Sequence, residues 1–172
     1  NEVGKLAYGT GDIPFIRTSD ISNWEIKADP KHCVGIDIYE SLKEKQDVRE
    51  GDILMVKDGT YLIGTCAMIT KYDTKMVYQS HLYKIRVNED NPYQINPYFL
   101  LAVLSCDYVQ NQIKSRTYSQ DIINSLGDRY KDLLLPIPKD KSKIKRITEM
   151  VKKSISDRIE ARELARQARV EV

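Results

Sequence analysis

Few residues in this chain have the types and spacing that catalysis requires. Asp12, Glu25 and Lys27 fit an Asp…Glu-x-Lys pattern, in which two carboxylates would hold Mg²⁺ and the lysine would position or activate water. The pattern is short, and Glu25 and Lys27 equally suit solvated positions flanking Ile26 on an edge strand. His32 beside Cys33, with His81 far along the chain, lacks metal-ligand spacing. Neither histidine has a Ser or Cys neighbour that spacing would single out as a nucleophile. The sequence holds no Gly-rich loop ending in Lys-Ser/Thr, no G-x-S-x-G elbow and no HExxH. On motifs alone the chain reads as a non-catalytic binding module, with no catalytic residue, no cofactor and no metal assigned.

Asn96-Pro97-Tyr98-Phe99 resembles the (Asn/Asp)-Pro-Pro-(Tyr/Phe) loop with which amino-methyltransferases grip a target amine, but the second proline is missing. No Gly-rich strand-to-helix turn for S-adenosylmethionine precedes it. A helix cap accounts for the same residues: Asn96 suits the N-cap and Pro97 the first helical position.

The elements that would position a binding surface are clearer. Gly51 to Gly64 reads as strand, turn, strand. Ile53 to Val56 is a short buried run, and Asp58-Gly59 is a hairpin-turn signal that would hold Lys57, Asp58, Thr60 and Tyr61 on a solvated tip. Ile13–Arg17 is a strand candidate that Pro14 restricts to an edge or a strand start, and Trp24–Lys27 a short extended piece. Tyr61–Ile69 and Met76–Val87 continue the strand pattern, with Lys84 and Arg86 on a solvated face. Asp37–Lys45 holds a turn of helix. From Asn96 the period becomes helical through Gln112. Ser115–Asp121 is polar and turn-like, Ile122–Leu126 a short helix or strand, and Leu133–Pro138 an apolar strand closed by prolines.

Lys141 to about Ala168 is a single long helix pattern without Gly or Pro, striped by Ile144, Ile147, Val151, Ile155 and Ile159. Its own domain could cover that stripe. A second helix, in a coiled coil, is the favoured expectation for a long helix at the end of the chain. These readings give an α+β fold: a β-rich domain over residues 1–138 and a spacer or dimerisation helix over 139–172.

Composition fits a soluble globular chain of 172 residues, with 41% hydrophobic and 30% charged residues. No apolar run approaches the ~18 residues of a membrane span, and no leader resembles a signal peptide. The chain starts at Asn1 without a Met, as a fragment of something longer would. Cys33, Cys66 and Cys106, an odd and scattered set, suit a reducing cytoplasm and small buried positions. Residues 139–172 hold 11 Lys/Arg against 6 Asp/Glu, whereas residues 1–138 hold 16 against 19. The body is therefore no uniformly basic nucleic-acid binder, and any DNA contact must come from local loops.

Several segments, in order, resemble one family. Ile13-Pro14-Phe15-Ile16-Arg17-Thr18-Ser19-Asp20-Ile21, then Gly51–Gly59 with Ile63-Gly64, then Gln79-Ser80-His81-Leu82 carry the first half of the likeness. Pro97–Leu101 through Leu104-Ser105, Ser119-Gln120-Asp121-Ile122 and Leu135-Pro136-Ile137-Pro138 before a long helix carry the second. Together they are similar to the target recognition domain of Type I restriction–modification specificity subunits, a domain also found fused behind N6-adenine DNA methyltransferases. The likeness covers almost the whole chain. It departs from the two-domain subunit in having one recognition domain and one helix, as a half subunit, a piece of a longer chain or a methyltransferase tail would.

The resemblance implies a sequence-specific DNA module that reads one half of a split duplex target for an adenine methyltransferase/restriction complex. Implied partners are double-stranded DNA, the methyltransferase subunit or domain, the restriction subunit, and a second recognition domain or second copy through the helix. The implied location is cytoplasmic, with no membrane. The expected DNA-contacting residues are Arg17, Thr18, Ser19, Lys57, Tyr61, Lys84, Arg116, Tyr118, Ser119 and Gln120, polar types that reach base edges or phosphates. Tyr61 and Tyr118 would pack on sugars or support a displaced base. An internal Arg17–Asp20 pair, a solvated Lys84 and a capping Ser119 are the structural alternatives. Two other functions compete: a scaffold domain docking a partner through its C-terminal helix, and a Mg²⁺-dependent nuclease.

Overall fold

Four consecutive apolar residues, Ile53 to Val56, organise the molecule because both faces of their strand are covered. The computed structural model describes residues 3–4, 7–27, 30–59, 61–120 and 123–170. The chain runs β1 (Phe15–Ile16), β2 (Ile21–Ser22), β3 (Glu25–Ile26), α1 (Ile36–Gln46), β4 (Ile53–Val56), β5 (Asp58–Gly59), β6 (Cys66–Met68), β7 (Val77–Tyr78) and β8 (Leu82–Ile85). It continues through α2 (Pro97–Ser105), α3 (Asp107–Arg116), β9 (Tyr118–Gln120), β10 (Ile123–Ser125) and α4 (Lys141–Val170). The fold is α+β, as its sequence pattern predicts, with a long C-terminal helix.

β4 is the centre of an antiparallel sheet ordered β6-β4-β8. Side chains alternate across a strand, so Ile53 and Met55 join one core with α2 and α4, while Leu54 and Val56 join another with Ile16, Ile21, Ala67 and Leu82. Each buried aliphatic side chain contributes about 1.5–3 kcal/mol relative to exposure. Among the described residues, no helix is long and apolar enough to cross a membrane.

α2 starts where Asn96 caps it: the Phe99 amide donates to Asn96 Oδ1 at 3.0 Å, and Pro97 opens the helix. The other end of the Asn96 amide donates to Thr148 Oγ1 of α4 at 2.9 Å. The helical pattern over Tyr98–Gln112 does not run through. Cys106 is extended, splitting it into α2 and α3, and Gln110 Nε2 donates to the freed Leu104 carbonyl at 2.7 Å. The β2–β3 connection is a two-residue turn with positive φ at Asn23 (50°) and Trp24 (71°). Trp24 is held in that strained conformation by its indole N–H, which donates to Ser105 Oγ at 2.8 Å, and by backbone bonds to Cys66 and Met68.

Several expectations change. α1 is a three-turn helix and not a single turn. Residues 118–120 form a strand where a turn was expected. Among the described residues, the 133–138 segment pairs with no strand; Gln112 stands in for one, with its Nε2 donating to the Leu134 carbonyl and its Oε1 accepting from the Leu134 amide, both at 2.9 Å. Lys84 and Arg86 are not simply solvated. Arg86 grips the buried Asp52 through two hydrogen bonds of 2.6 and 2.7 Å and also reaches Asp47 Oδ2 at 2.7 Å, which raises the guanidinium's pKa further and lowers that of Asp47 to about 2.

The stripe of α4 is covered by its own domain. Ile144, Val151 and Ile155 are buried in the core with Phe99, Leu100 and Leu104, and Ile147 and Ile159 pack at its edge. These five residues were expected to face a second helix. α2 takes that place. Two ion pairs hold the second half of the helix down, Arg158–Glu25 at 3.1 Å and Arg162–Asp73 at 3.2 Å.

Candidate functional site

Asp58-Gly59 forms β5 rather than a turn, and this changes the surface around it. β5 pairs antiparallel with β10, Gly59 opposite Asn124 and Asp58 opposite Ser125. Asp58 is only 8% exposed and cannot sit on a display tip. Its Oδ1 accepts from Ser125 Oγ at 2.5 Å, its Oδ2 from His81 Nδ1 at 2.8 Å, and Lys57 Nζ lies 3.5 Å away. Burial would raise the Asp58 carboxyl; Ser125, His81 and Lys57 outweigh it and leave the pKa below the ordinary value. The chain turns later, at Leu62–Thr65, where Gly64 takes a φ of 87°. Tyr61, 86% exposed, is the side chain displayed there. Thr60 lies outside the described residues.

Ser125, His81 and Asp58 have the composition of a hydrolytic triad without its wiring. The Ser125 hydroxyl donates to the carboxylate and accepts from the Gly127 amide at 3.0 Å. A nucleophile would need the imidazole at its hydroxyl. The cluster therefore fastens strands together and orients the ring.

Main-chain hydrogen bonds set three of the expected contact residues, Arg17, Lys57 and Tyr118, along one line of neighbouring segments. The Gln79 amide donates to Ile16 O at 2.8 Å, which puts Gln79 beside Arg17. The Lys57 amide donates to His81 O at 2.9 Å, and the Leu126 amide to Lys57 O at 3.1 Å. Ser125 is then the register partner of Tyr118. Arg17, Gln79–His81, Lys57, Ser125 and Tyr118 thus form one continuous strip across neighbouring chain segments. Strands lie ~4.8 Å apart, so this strip is on the order of 20 Å wide, roughly the length of six stacked base pairs at ~3.4 Å each.

Cations along the strip are interleaved with aromatic rings. The Arg129 guanidinium lies 4.5 Å from the Tyr118 ring centroid, Lys57 Nζ 5.9 Å from that of Tyr83, and Lys131 Nζ 5.7 Å from that of Tyr130. The Tyr83 and Tyr130 rings meet tilted, with centroids 5.0 Å apart, and burial, with Asp58 adding to it, raises the Tyr83 phenol. Tyr83 donates to Gly127 O, and Arg129 Nη1 donates to Arg116 O at 3.1 Å, tying α3 to the segment after β10.

The remaining expected residues divide. Thr18 and Ser19 sit in a short 3₁₀ turn (Thr18–Asp20) beside Arg17, whose Nε lies 3.5 Å from Asp20, so the internal pair exists. Arg116, half-buried, ends α3 next to Tyr118. Lys84 stands apart from the strip. Its ammonium donates to Asp47 O at 2.8 Å, and burial, the largest influence, lowers its pKa. Ser119 and Gln120 belong to β9, which leaves Ser119 no cap to form; their side chains, and residues 121 and 122, lie outside the described set. Glu25 of the Asp12, Glu25 and Lys27 pattern faces Arg158 of α4. His81, Tyr83, Arg129, Tyr130 and Lys131 were not picked from the sequence. The run Gly127-Asp128-Arg129-Tyr130-Lys131, basic and aromatic after a glycine, is the local signal for the last three of these.

No protein-family model and no curated protein matches the chain. Solved structures do. One is a chain from work on complex assembly and conformational transition of the type I R-M system, with a TM-score of 0.56 and 18% identity. Another is the HsdS subunit from Thermoanaerobacter tengcongensis, with a TM-score of 0.54 and 19% identity. Each match covers 93% of this chain and 40% of the other, so the chain spans well under half the length of these neighbours. At such identity the likeness is one of fold.

Proposed function

We propose that this chain is a non-catalytic DNA-reading module of a type I restriction–modification system, taking one half of a split target for an adenine methyltransferase. The observation that carries this reading is the strip of Arg17, Gln79–His81, Lys57 and Tyr118 with its basic–aromatic pairs, on a fold similar to HsdS. Lysines and arginines beside flat rings suit a polyanion with stacked bases. On this reading Arg116, Arg129 and Lys131 hold phosphates, while Arg17, Thr18 and Ser19 reach toward bases from one end of the strip; Ser119 and Gln120 remain proposed contacts.

A second helix, from another recognition domain or a second copy, would pack on the face of α4 that its own domain leaves open. Met150, Ser154, Asp157, Ala161, Leu164 and Ala168 follow each other at three- and four-residue steps there, with Met150 66% and Leu164 58% exposed. This seam replaces the Ile144–Ile159 stripe as the proposed dimerisation surface. The methyltransferase and restriction subunits remain proposed partners.

Selection from a pool of duplexes with a randomised centre tests the reading. One enriched sequence, with affinity falling steeply as salt rises, is expected. Association that ignores salt, proceeds through α4 and leaves the pool unenriched would establish the scaffold reading instead.

A further inference from the structure

Building on the DNA-reading function, we infer that His81, oriented by Asp58, reads a base edge of the duplex through its Nε2. His81 occupies the middle of the strip, between Arg17, reached through Gln79, and Lys57, whose amide donates to the His81 carbonyl. Its side chain is 37% exposed, enough to present one edge of the ring while the other stays inside. Asp58 is ionised and so accepts only; Nδ1 therefore carries a proton and donates at 2.8 Å. Among the described residues Nε2 has no hydrogen-bond partner. In a neutral ring it is an acceptor suited to the exocyclic amines of adenine or cytosine, and in a protonated ring a donor suited to guanine.

What separates His81 from the cations around it is rigidity. Its anchor carboxylate is clamped by Ser125, and Asp58 and Ser125 are register partners between β5 and β10. The ring is thus set by the sheet before any ligand arrives. A pre-set group loses little freedom on contact, which suits discrimination between bases; a flexible lysine suits a phosphate. The ring faces Asp58, and the charged and polar groups around that carboxylate are Lys57, Ser125 and the Tyr83 phenol.

The test uses the full chain and the duplex it enriches from a randomised pool. His81→Gln is expected to lower affinity for that duplex ~10-fold or more, to flatten preference at one base pair, and to leave the salt dependence and the binding of unrelated duplexes unchanged. In the wild type, the His81 imidazole nitrogen resonances are expected to move on adding the duplex. His81→Gln that keeps the same enriched sequence and affinity, with only a lower melting temperature, would make His81 a structural support for Asp58 and overturn the inference alone. A uniform loss over all sequences, with a salt slope reduced by about one, would assign a phosphate contact and overturn it as well. A wild type that enriches nothing refutes the DNA-reading function itself, and this inference with it.

Discussion

Replacing Ile155 with Ala distinguishes a helix that belongs to its own core from one that waits for a partner. Ile155 is 6% exposed and lies in the cluster with Phe99, Leu101, Leu104 and Val151. Truncation removes three carbons at roughly 0.8 kcal/mol each and leaves a cavity that the surroundings fill only in part. Core Ile→Ala changes cost about 2–5 kcal/mol, and ~3 kcal/mol suits a site at the edge of the core. For a chain of this length each kcal/mol moves the melting temperature by about 2–4 °C, so a fall of ~6–12 °C is expected. Thermal melts followed by circular dichroism over a wide range of protein concentration provide the assay. The deficit should be as large at the lowest concentration as at the highest. A deficit below ~1 kcal/mol, or one that disappears on dilution, would show that another chain covers the stripe and that α4 is not part of this core.

Four other perturbations probe different parts of the molecule. Met150→Glu with Leu164→Glu should leave the monomer within about 0.5 kcal/mol of wild type and abolish self-association measured by sedimentation; persistent association would place the second helix elsewhere. Asp58, whose folded pKa lies below its unfolded one, contributes stability that is complete above the unfolded value near 4 and is lost as pH falls through the folded value. Asp58→Asn should therefore flatten the acid limb of a stability–pH curve, and an unchanged acid limb would contradict the wiring of that carboxylate. Gly127 has a φ of 50° and an added Cβ would lie 2.7 Å from the Tyr118 hydroxyl, so Gly127→Ala should cost about 1 kcal/mol or more and weaken duplex binding by displacing Tyr118. Arg129→Ala should weaken binding of all duplexes alike and reduce the salt slope by about one; a change in sequence preference would make Arg129 a reader instead of a phosphate clamp.

Local chemistry was legible wherever a residue's partner lay within a turn of it. Asn96-Pro97 announced the start of α2 because a cap needs only the next few amides. The apolar run of β4 and the ungapped pattern of α4 were equally plain. Asp58-Gly59 misled because turn propensity is a local preference. A pairing with β10, more than sixty residues on, overrode it and supplied Asp58 with a buried hydroxyl. The stripe on α4 was visible, but a stripe does not say what covers it; that depended on α2, tied in by Thr148 and Asn96. The break at Cys106 had no Gly or Pro to mark it, and Gln110 repairs it from the following helix. The role of His81 is not legible in sequence because it depends on Asp58, 23 positions away in sequence and 2.8 Å away in space.

The strip is joined by main-chain atoms, and this has a consequence for how the surface can evolve. Gln79 to Ile16, Lys57 to His81 and Leu126 to Lys57 are amide-to-carbonyl bonds that any residue but proline at the donor can make. The side chains above them are therefore largely exchangeable without loss of the scaffold. If the proposed DNA-reading function holds, a lineage could rewrite Arg17, Gln79 or Tyr118 one at a time and acquire a new target on an old frame. His81 is the exception. Its carboxylate anchor also binds a neighbouring strand through Ser125, so a change of that letter requires compensation inside the protein. Variation should accumulate around it sooner than at it.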